Sequence, residues 1–215
     1  MHSELGNFRK SYEKSALSEE IISDNPMELF QKWYYEVEKS ETVDETNAMN
    51  ISTIGLDGFP KSRMVLLKKY TFEGFIFYTN YDSEKGKAIA NNPRVCLSFF
   101  WPVMERQIII KGTAKKIPEN MSDGYFESRP TGSKLGAIVS DQSSVIPSRE
   151  VLDEKLKEAE EEYKDKEIER PANWGGYLVT PVSIEFWQGR PNRLHDRIRY
   201  TLQEDYIWKI ERLAP

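Results

Sequence analysis

The residues best equipped for chemistry lie near the end of the chain, in Trp187-Gln188-Gly189-Arg190-Pro191-Asn192-Arg193-Leu194-His195-Asp196-Arg197-Ile198-Arg199. If residues 193 to 199 run extended, alternation puts Arg193, His195, Arg197 and Arg199 on one face and Leu194, Asp196 and Ile198 on the other. Cations so close together repel, and a fold tolerates such a strip most readily when an anion lies across it. The competing reading is a solvated edge strand whose arginines deter aggregation. His2 is the one other histidine and sits at the N-terminus, so His195 is the candidate site histidine.

Further candidates are dispersed. Arg63-Met64-Val65-Leu66-Leu67-Lys68 carries a cation at each end of an apolar run, and on a continuous strand the odd separation puts Arg63 and Lys68 on opposite faces. Tyr125, Arg129 and Ser133 recur at spacing four, which on one helix would gather two hydroxyls and a guanidinium able to hold a phosphate. Pro130 and Gly132 are expected to distort that helix. Gln142-Ser143 falls in a polar loop. Trp187 shares a strand face with Ser183 and Glu185, away from the more apolar face of Val182, Ile184 and Phe186. An aromatic plane beside cations suits a ligand with both a flat ring system and phosphates.

The elements that must position these groups follow from periodicity. Asp24-Asn25-Pro26 joins a cap to a first-turn proline, and Leu29, Phe30, Trp33 and Val37 then repeat at helical spacing. Extended runs at 49 to 55 and 62 to 68 flank Leu56-Asp57-Gly58-Phe59-Pro60, a hairpin signal. Further strands are predicted at 74 to 79, 94 to 101 and 106 to 117, with one short helix at 83 to 91 that carries Lys85 and Lys87 near its start. Five strands with tight connections favour a mainly antiparallel barrel over an alternating parallel α/β sheet. Residues 118 to 140 read as helical turns. A helix capped by Ser148 follows, with Leu152, Leu156, Ala159 and Tyr163 as its apolar stripe. Strands return at 176 to 180, 182 to 187, 194 to 202 and 206 to 213. Residues 1 to 24 are polar and read as a mobile arm carrying Arg9 and Tyr12, ahead of a single domain over residues 25 to 215.

Composition narrows the classes. A net charge of -5 over 215 residues argues against a general nucleic-acid binder. Cys96 is the only cysteine and lies in an apolar run, so a buried, inert thiol is expected, with neither a disulfide framework nor a metal site. No apolar stretch is long enough to span a membrane, and the N-terminus lacks a signal-peptide pattern, which predicts a soluble, cytoplasmic protein.

Taken in order, Arg63 to Lys68, Tyr78-Thr79, Arg106-Gln107, Arg129-Pro130 with Ser133 and Gly136, Gln142-Ser143, Phe186 to Arg190, Arg193 to Arg197 and the terminal Arg212-Leu213-Ala214-Pro215 form one pattern. From about residue 9 to the last, it resembles the pyridoxine (pyridoxamine) 5′-phosphate oxidase family. The resemblance implies a mainly β fold with flanking helices, an antiparallel FMN-binding split β-barrel of Greek-key type. It also implies a homodimer with FMN in clefts at the subunit interface. By position, Arg63, Lys85, Gln142 and Ser143 would hold FMN, chiefly through its phosphate. Met64, Val65, Leu66, Leu67, Lys68, Tyr78 and Thr79 would line the cofactor, and Gln107, Trp187 and Arg197 would approach its ring system. Lys68, Tyr125, Arg129 and Ser133 would take the substrate phosphate, with Arg193 and His195 over the pyridine ring. Arg9 and Tyr12 would belong to an arm that closes over the substrate. One departure is Glu84, which stands beside Lys85 where the family usually has arginine. An anion there would reduce FMN retention unless it turns outward or Lys87 compensates.

The activity implied is oxidation of pyridoxine 5′-phosphate or pyridoxamine 5′-phosphate to pyridoxal 5′-phosphate. Oxygen is the final acceptor, and hydrogen peroxide and, from the amine, ammonia are released. Arg197 is expected to orient the substrate. His195 would assist as a neutral hydrogen-bonding group, because neighbouring arginines disfavour a further positive charge. Arg199 has no assigned role. The rivals are a split-barrel protein that binds flavin or pyridoxal phosphate without catalysis, and a nicotinamide-dependent flavin reductase.

Overall fold

Side-chain burial alternates along residues 48 to 54, 94 to 101 and 106 to 116, the pattern of strands with one face on a core. The computed structural model describes residue 6 and residues 10–215. In chain order the elements are α1 (Pro26–Lys39), β1 (Ala48–Ile54), β2 (Pro60–Leu66), β3 (Lys69–Thr71), β4 (Gly74–Asn80) and α2 (Glu84–Asn91). Then come β5 (Arg94–Trp101), β6 (Arg106–Lys116), α3 (Glu119–Glu127), α4 (Thr131–Val139), α5 (Glu150–Glu162), β7 (Trp174–Gln188), β8 (Asp196–Leu202) and β9 (Trp208–Arg212). The strands form one sheet in the order β2-β1-β5-β6-β7-β4-β3, with β8 on β7 and β9 on β8. The β3–β4, β4–β7, β7–β8 and β8–β9 pairs are antiparallel.

Three expectations about elements are corrected. The two strands predicted on either side of Pro181 are one strand, β7, which pairs with β4 over residues 174 to 179 and with β8 over 183 to 188. Proline lacks a donor, and Pro181 falls between the β4 and β8 ladders, where neither of them needs its nitrogen. Strand β8 starts at Asp196, not before it, because Asn192 and Arg193 take positive φ (57° and 61°) in a 3-10 turn. Arg193 is therefore outside the alternation that still relates Arg197 to Arg199. Finally, a short β3 intervenes before β4, and Cys96 is half-buried instead of fully buried.

The chain divides into two compact units. One comprises the described residues up to Asn50, with residues 97–111 and 181–215. Here Asn25 caps α1 by accepting from the Met27 N–H, and Pro26 occupies the first turn. The stripe of Leu29, Phe30, Trp33 and Val37 is buried. Edge-on aromatic contacts knit it to the strands: Phe30 to Phe99 at 5.4 Å, Trp33 to Phe186 at 5.2 Å and Phe186 to Tyr200 at 5.7 Å. Each such pair adds about 1 kcal/mol beyond its area burial. The segment before α1 is held to the same unit: Leu17 is buried, its N–H donates to Asp196, and the Tyr200 hydroxyl donates to the Ser23 carbonyl.

The other unit comprises residues 51–96 and 112–180. The β1–β2 hairpin turns at Gly58, whose φ of 82° suits glycine. Ser83 caps α2 by accepting from the Gly86 N–H. The helical stretch after β6 splits into α3 and α4 at Pro130, which has no N–H to continue α3 and restricts Arg129 before it. Its carbonyl instead accepts from the Ser133 N–H and so starts α4.

Candidate active site

A cavity of about 690 Å³ lies within the second unit. Its lining comes from β2, the β2–β3 connection, β4, α2, α3, the α3–α4 connection, α4, the loop after α4 and the start of β7. Arg63, Met64, Val65, Leu66, Lys68, Tyr78, Thr79, Lys85, Tyr125, Arg129, Ser133 and Gln142, all singled out from sequence, meet there. Asn80, Pro130, Gly136, Ala137, Ser140 and Trp174 complete the wall. Four of these residues are cationic and none is a carboxylate. The predicted opposition of Arg63 and Lys68 does not hold, since both reach the cavity. Strand β2 ends at Leu66, Leu67 turns into the core, and the Lys68 N–H bonds to the Ile76 carbonyl, so strand parity is lost between the two cations. Leu67 and the exposed Ser143 (φ 77°) are not among the lining residues.

One group of lining residues centres on Lys85, at the start of α2. Its Nζ donates to Thr79 Oγ1 at 3.0 Å and Gln142 Oε1 at 2.9 Å. Burial pushes its pKa down to about 8, the charge of Arg63 acts the same way, and Glu84 opposes both. Arg63 Nη1 donates to Thr53 Oγ1 at 2.8 Å and to the Lys61 carbonyl at 2.7 Å, and burial also lowers its pKa. Glu84 is exposed, pairs with Lys61 and is absent from the cavity wall, yet its charge favours the ionised forms of both Arg63 and Lys85. Lys87 is exposed and also outside the wall.

A second group centres on Arg129. Its guanidinium carbon lies 4.5 Å from the centroid of the Trp174 ring, and its Nη1 is buried with no hydrogen-bond partner among the described residues. Tyr78 and Tyr125 stack at 3.9 Å with planes 19° apart, and Trp174 lies 12° from the Tyr78 plane. This packing depends on Gly176, which pairs with Tyr78 across the sheet and where a Cβ would come within 2.9 Å of that ring. Burial lowers the pKa of Arg129 and raises that of Tyr78. Trp174 was missed from sequence. Its signal was alternation: Trp174 shares a face with Gly176, the small residue that makes room for Tyr78.

The histidine cluster lies in the first unit, and none of its members is in the cavity wall. The ring of His195 is 4.6 Å from that of Trp187 and 5.8 Å from that of Tyr12, and Tyr12 meets Trp187 edge-on at 5.8 Å. Gly189 lies beneath, where a Cβ would approach Tyr12 to 2.8 Å. His195 Nδ1 accepts from the Arg190 N–H at 3.0 Å, which requires the neutral tautomer protonated at Nε2. Its pKa is lowered by burial first and by Arg193 second, against Asp196. The anions that the cationic strip calls for are internal. Arg197 Nε donates to Glu185 at 2.7 Å and its Nη1 to the Ala214 carbonyl, while Arg199 pairs with Glu211 at 2.9 Å. Glu185 was missed from sequence: alternation places it on the face of Trp187, but only the pairing of Trp187 with Arg197 makes it the partner of that guanidinium. Gln107 is half-buried on β6, the exposed Arg193 sits in the turn before β8, and Arg9 lies outside the described residues.

Comparison with known proteins settles the lineage. A family model described as pyridoxamine 5′-phosphate oxidase matches residues 36–163, more than half of the chain. The chain belongs to the pyridoxamine 5′-phosphate oxidase family. A second model, the pyridoxine 5′-phosphate oxidase C-terminal dimerisation region, matches residues 174–215. Relatives named pyridoxine/pyridoxamine 5′-phosphate oxidase include one from Flavobacterium psychrophilum, 69% identical over 212 residues and covering 99% of each chain. Another, from Christiangramia forsetii, is 54% identical over the full length of both. This is a family of oxidoreductases, and the chain is an enzyme. Among solved structures, PhzG from Burkholderia lata matches with a TM-score of 0.85 at 26% identity, over 91% of this chain and 95% of that one. A pyridoxamine 5′-phosphate oxidase-related, FMN-binding protein from Nostoc punctiforme matches with a TM-score of 0.70 at 14% identity, over 91% and 99%. The fold is thus the split barrel of the pyridoxamine 5′-phosphate oxidase family, mainly β with flanking helices, as the sequence pattern implied.

Proposed function

We propose that this enzyme oxidises pyridoxine 5′-phosphate or pyridoxamine 5′-phosphate to pyridoxal 5′-phosphate with FMN as cofactor and oxygen as final acceptor, releasing hydrogen peroxide and, from the amine, ammonia. The observation that carries the reading is the cavity wall of four cations without a carboxylate. Unopposed cations in a partly apolar pocket of this size, within the roughly 300–1,000 Å³ of small-molecule sites, call for anionic ligands. The two groups of donors fit two phosphorylated molecules. The buried Lys85 with Arg63 and Gln142 would hold the FMN phosphate. Lys68, Tyr125, Arg129 and Ser133 would hold the substrate phosphate, and the orphaned Arg129 Nη1 would be satisfied there.

Bound FMN would supply the two-electron redox chemistry, for which no side chain here is suited. The protein's part is position and charge. Tyr78 and the exposed thioether of Met64 offer flat and adaptable apolar surface for ring systems. Arg197, held by Glu185 and the Ala214 carbonyl, is assigned to orient the substrate. His195, neutral with its proton on Nε2, is assigned to donate a hydrogen bond to it; neither residue is in the cavity wall, and both roles are those the family resemblance implies. The match of residues 174–215 to a dimerisation region supports a homodimer, and the family resemblance implies the cofactor at its subunit interface. PhzG was solved with tetrahydrophenazine-1-carboxylic acid, an anion without phosphate. The second set of cation and hydroxyl donors favours a phosphorylated substrate for this chain instead.

The test is direct. The purified protein should show an oxidised-flavin spectrum, and adding pyridoxine or pyridoxamine 5′-phosphate should start oxygen consumption. A protein that stays colourless and inert with added FMN would overturn the reading. Uptake driven by NADH alone would replace it with a flavin reductase.

A further inference from the structure

Among the described residues, carboxylates pair with seven arginines: Arg106 with Glu36, Arg149 with Asp153, Arg170 with Asp123, Arg190 with Asp196, Arg197 with Glu185, Arg199 with Glu211, and Arg212 with Glu19 and Asp196; Arg106 also lies over the Trp33 ring, but its carboxylate still occupies its N–H edge. Arg129 is held by rings. Its guanidinium carbon is 4.5 Å from the Trp174 centroid and 5.6 Å from that of Phe126. Its Nη1 is buried and has no hydrogen-bond partner among the described residues.

The difference matters chemically. A carboxylate fixes a guanidinium by occupying the N–H edge that a phosphate would use, and it cancels the charge. An aromatic face attracts the same cation through the ring quadrupole and leaves every N–H free. Trp174 is itself well fixed. It begins β7 opposite Asn80, is 7% exposed, and its carbonyl accepts from Arg170, which is paired with Asp123 on α3. Helix α3 carries Tyr125 and Phe126, so one framework sets ring, hydroxyl and guanidinium together.

We infer that Trp174 is a specificity-setting positioning residue: it holds the Arg129 guanidinium by its face, keeps the N–H edge free for a ligand phosphate, and so confers the preference for phosphorylated pyridines over unphosphorylated ones. This rests on the reading of the cavity as a phosphopyridine site. Trp174 touches no reacting atom. Its effect is on affinity for one substituent of the ligand.

The experiment is calorimetric titration of the FMN-loaded protein with 4′-deoxypyridoxine 5′-phosphate, which cannot be oxidised at C4′, and with 4′-deoxypyridoxine. In Trp174→Leu, affinity for the phosphorylated compound should fall about tenfold while that for the unphosphorylated one is unchanged. Trp174→Phe should lose less, since phenylalanine is the weaker cation partner. Equal losses for both compounds, or none, would overturn the inference. Should Trp174→Leu fail to fold, Trp174→Phe is compared in the native and Arg129→Gln backgrounds. The inference requires its effect to vanish when the cation is gone, and an undiminished effect sinks it. Wild-type protein that binds neither compound would instead refute the site reading on which the inference stands.

Discussion

Lys85 is 9% exposed, and its ammonium donates to three neutral oxygens, of Thr79, Ser83 and Gln142, so burial dominates its titration. Between about pH 8, where it deprotonates in the folded protein, and its ordinary 10.5, the unfolded chain binds more protons. This group's contribution to stability therefore rises with pH across that window and is a constant penalty below it. Anion binding runs the other way, since a phosphate needs the ammonium. Retention of FMN, followed by ultrafiltration and flavin absorbance, should weaken about tenfold from pH 7 to pH 9, and Lys85→Met should flatten that profile. A flat wild-type profile would remove Lys85 from the phosphate site. His195 gives the second prediction at this scale. Burial and Arg193 both disfavour the imidazolium, so an NMR titration should place its pKa below 6.5, and Arg193→Ala should raise it. The sequence disclosed the cations but not what balances them. Alternation put Glu185 on the face of Trp187, yet only strand pairing identifies Arg197 as its partner.

Among the elements, the start of the segment before α1, around residues 13 and 14, is anchored by one carboxylate. The Glu105 carboxylate, 2% exposed, accepts from the Glu13 and Lys14 N–H groups at 2.9 and 3.1 Å. Tyr12 precedes these anchors and so is held against Trp187 and His195. Glu105→Ala should speed hydrogen exchange at amides 13 and 14 and cost about 2 kcal/mol of stability in denaturant titrations, the scale for hydrogen bonds to a charged group. Glu105→Gln, which keeps an acceptor, should fall between. Unchanged exchange in the alanine variant would show that the segment is held by its other contacts. Elements with strict period two or 3.6 were legible: β1, β5, β6 and α1 lie within a residue or two of their predicted ends. The departures have local causes. Two positive-φ residues delay β8, and Pro181 reads as a break only when the pairing on either side is unknown. Arg63 and Lys68 were placed on opposite faces because parity was carried past the point where β2 stops.

For the molecule as a whole, charge is partitioned. The chain carries a net charge of -5, yet the cavity is walled by four cations. The cost of crowding those cations is recovered only when anions bind, so ligand-free protein should be measurably less stable than loaded protein. A ligand that binds only the folded state adds about 2.7 kcal/mol at one hundred times its dissociation constant. For a chain of this size each kcal/mol moves the melting midpoint by roughly 2–4 °C. Saturating FMN should therefore raise the midpoint by about 5–10 °C in differential scanning calorimetry. If the cofactor sits at a subunit interface, as proposed, the midpoint should also climb with protein concentration, because association and loading then stabilise the same folded species. Arg63→Ala combined with Lys85→Met should lose most of the FMN-induced rise while keeping the concentration dependence. That separation assigns the first effect to the phosphate donors and the second to the dimer. A double variant with an undiminished FMN shift would place the cofactor phosphate elsewhere, and a midpoint independent of concentration would count against the dimer.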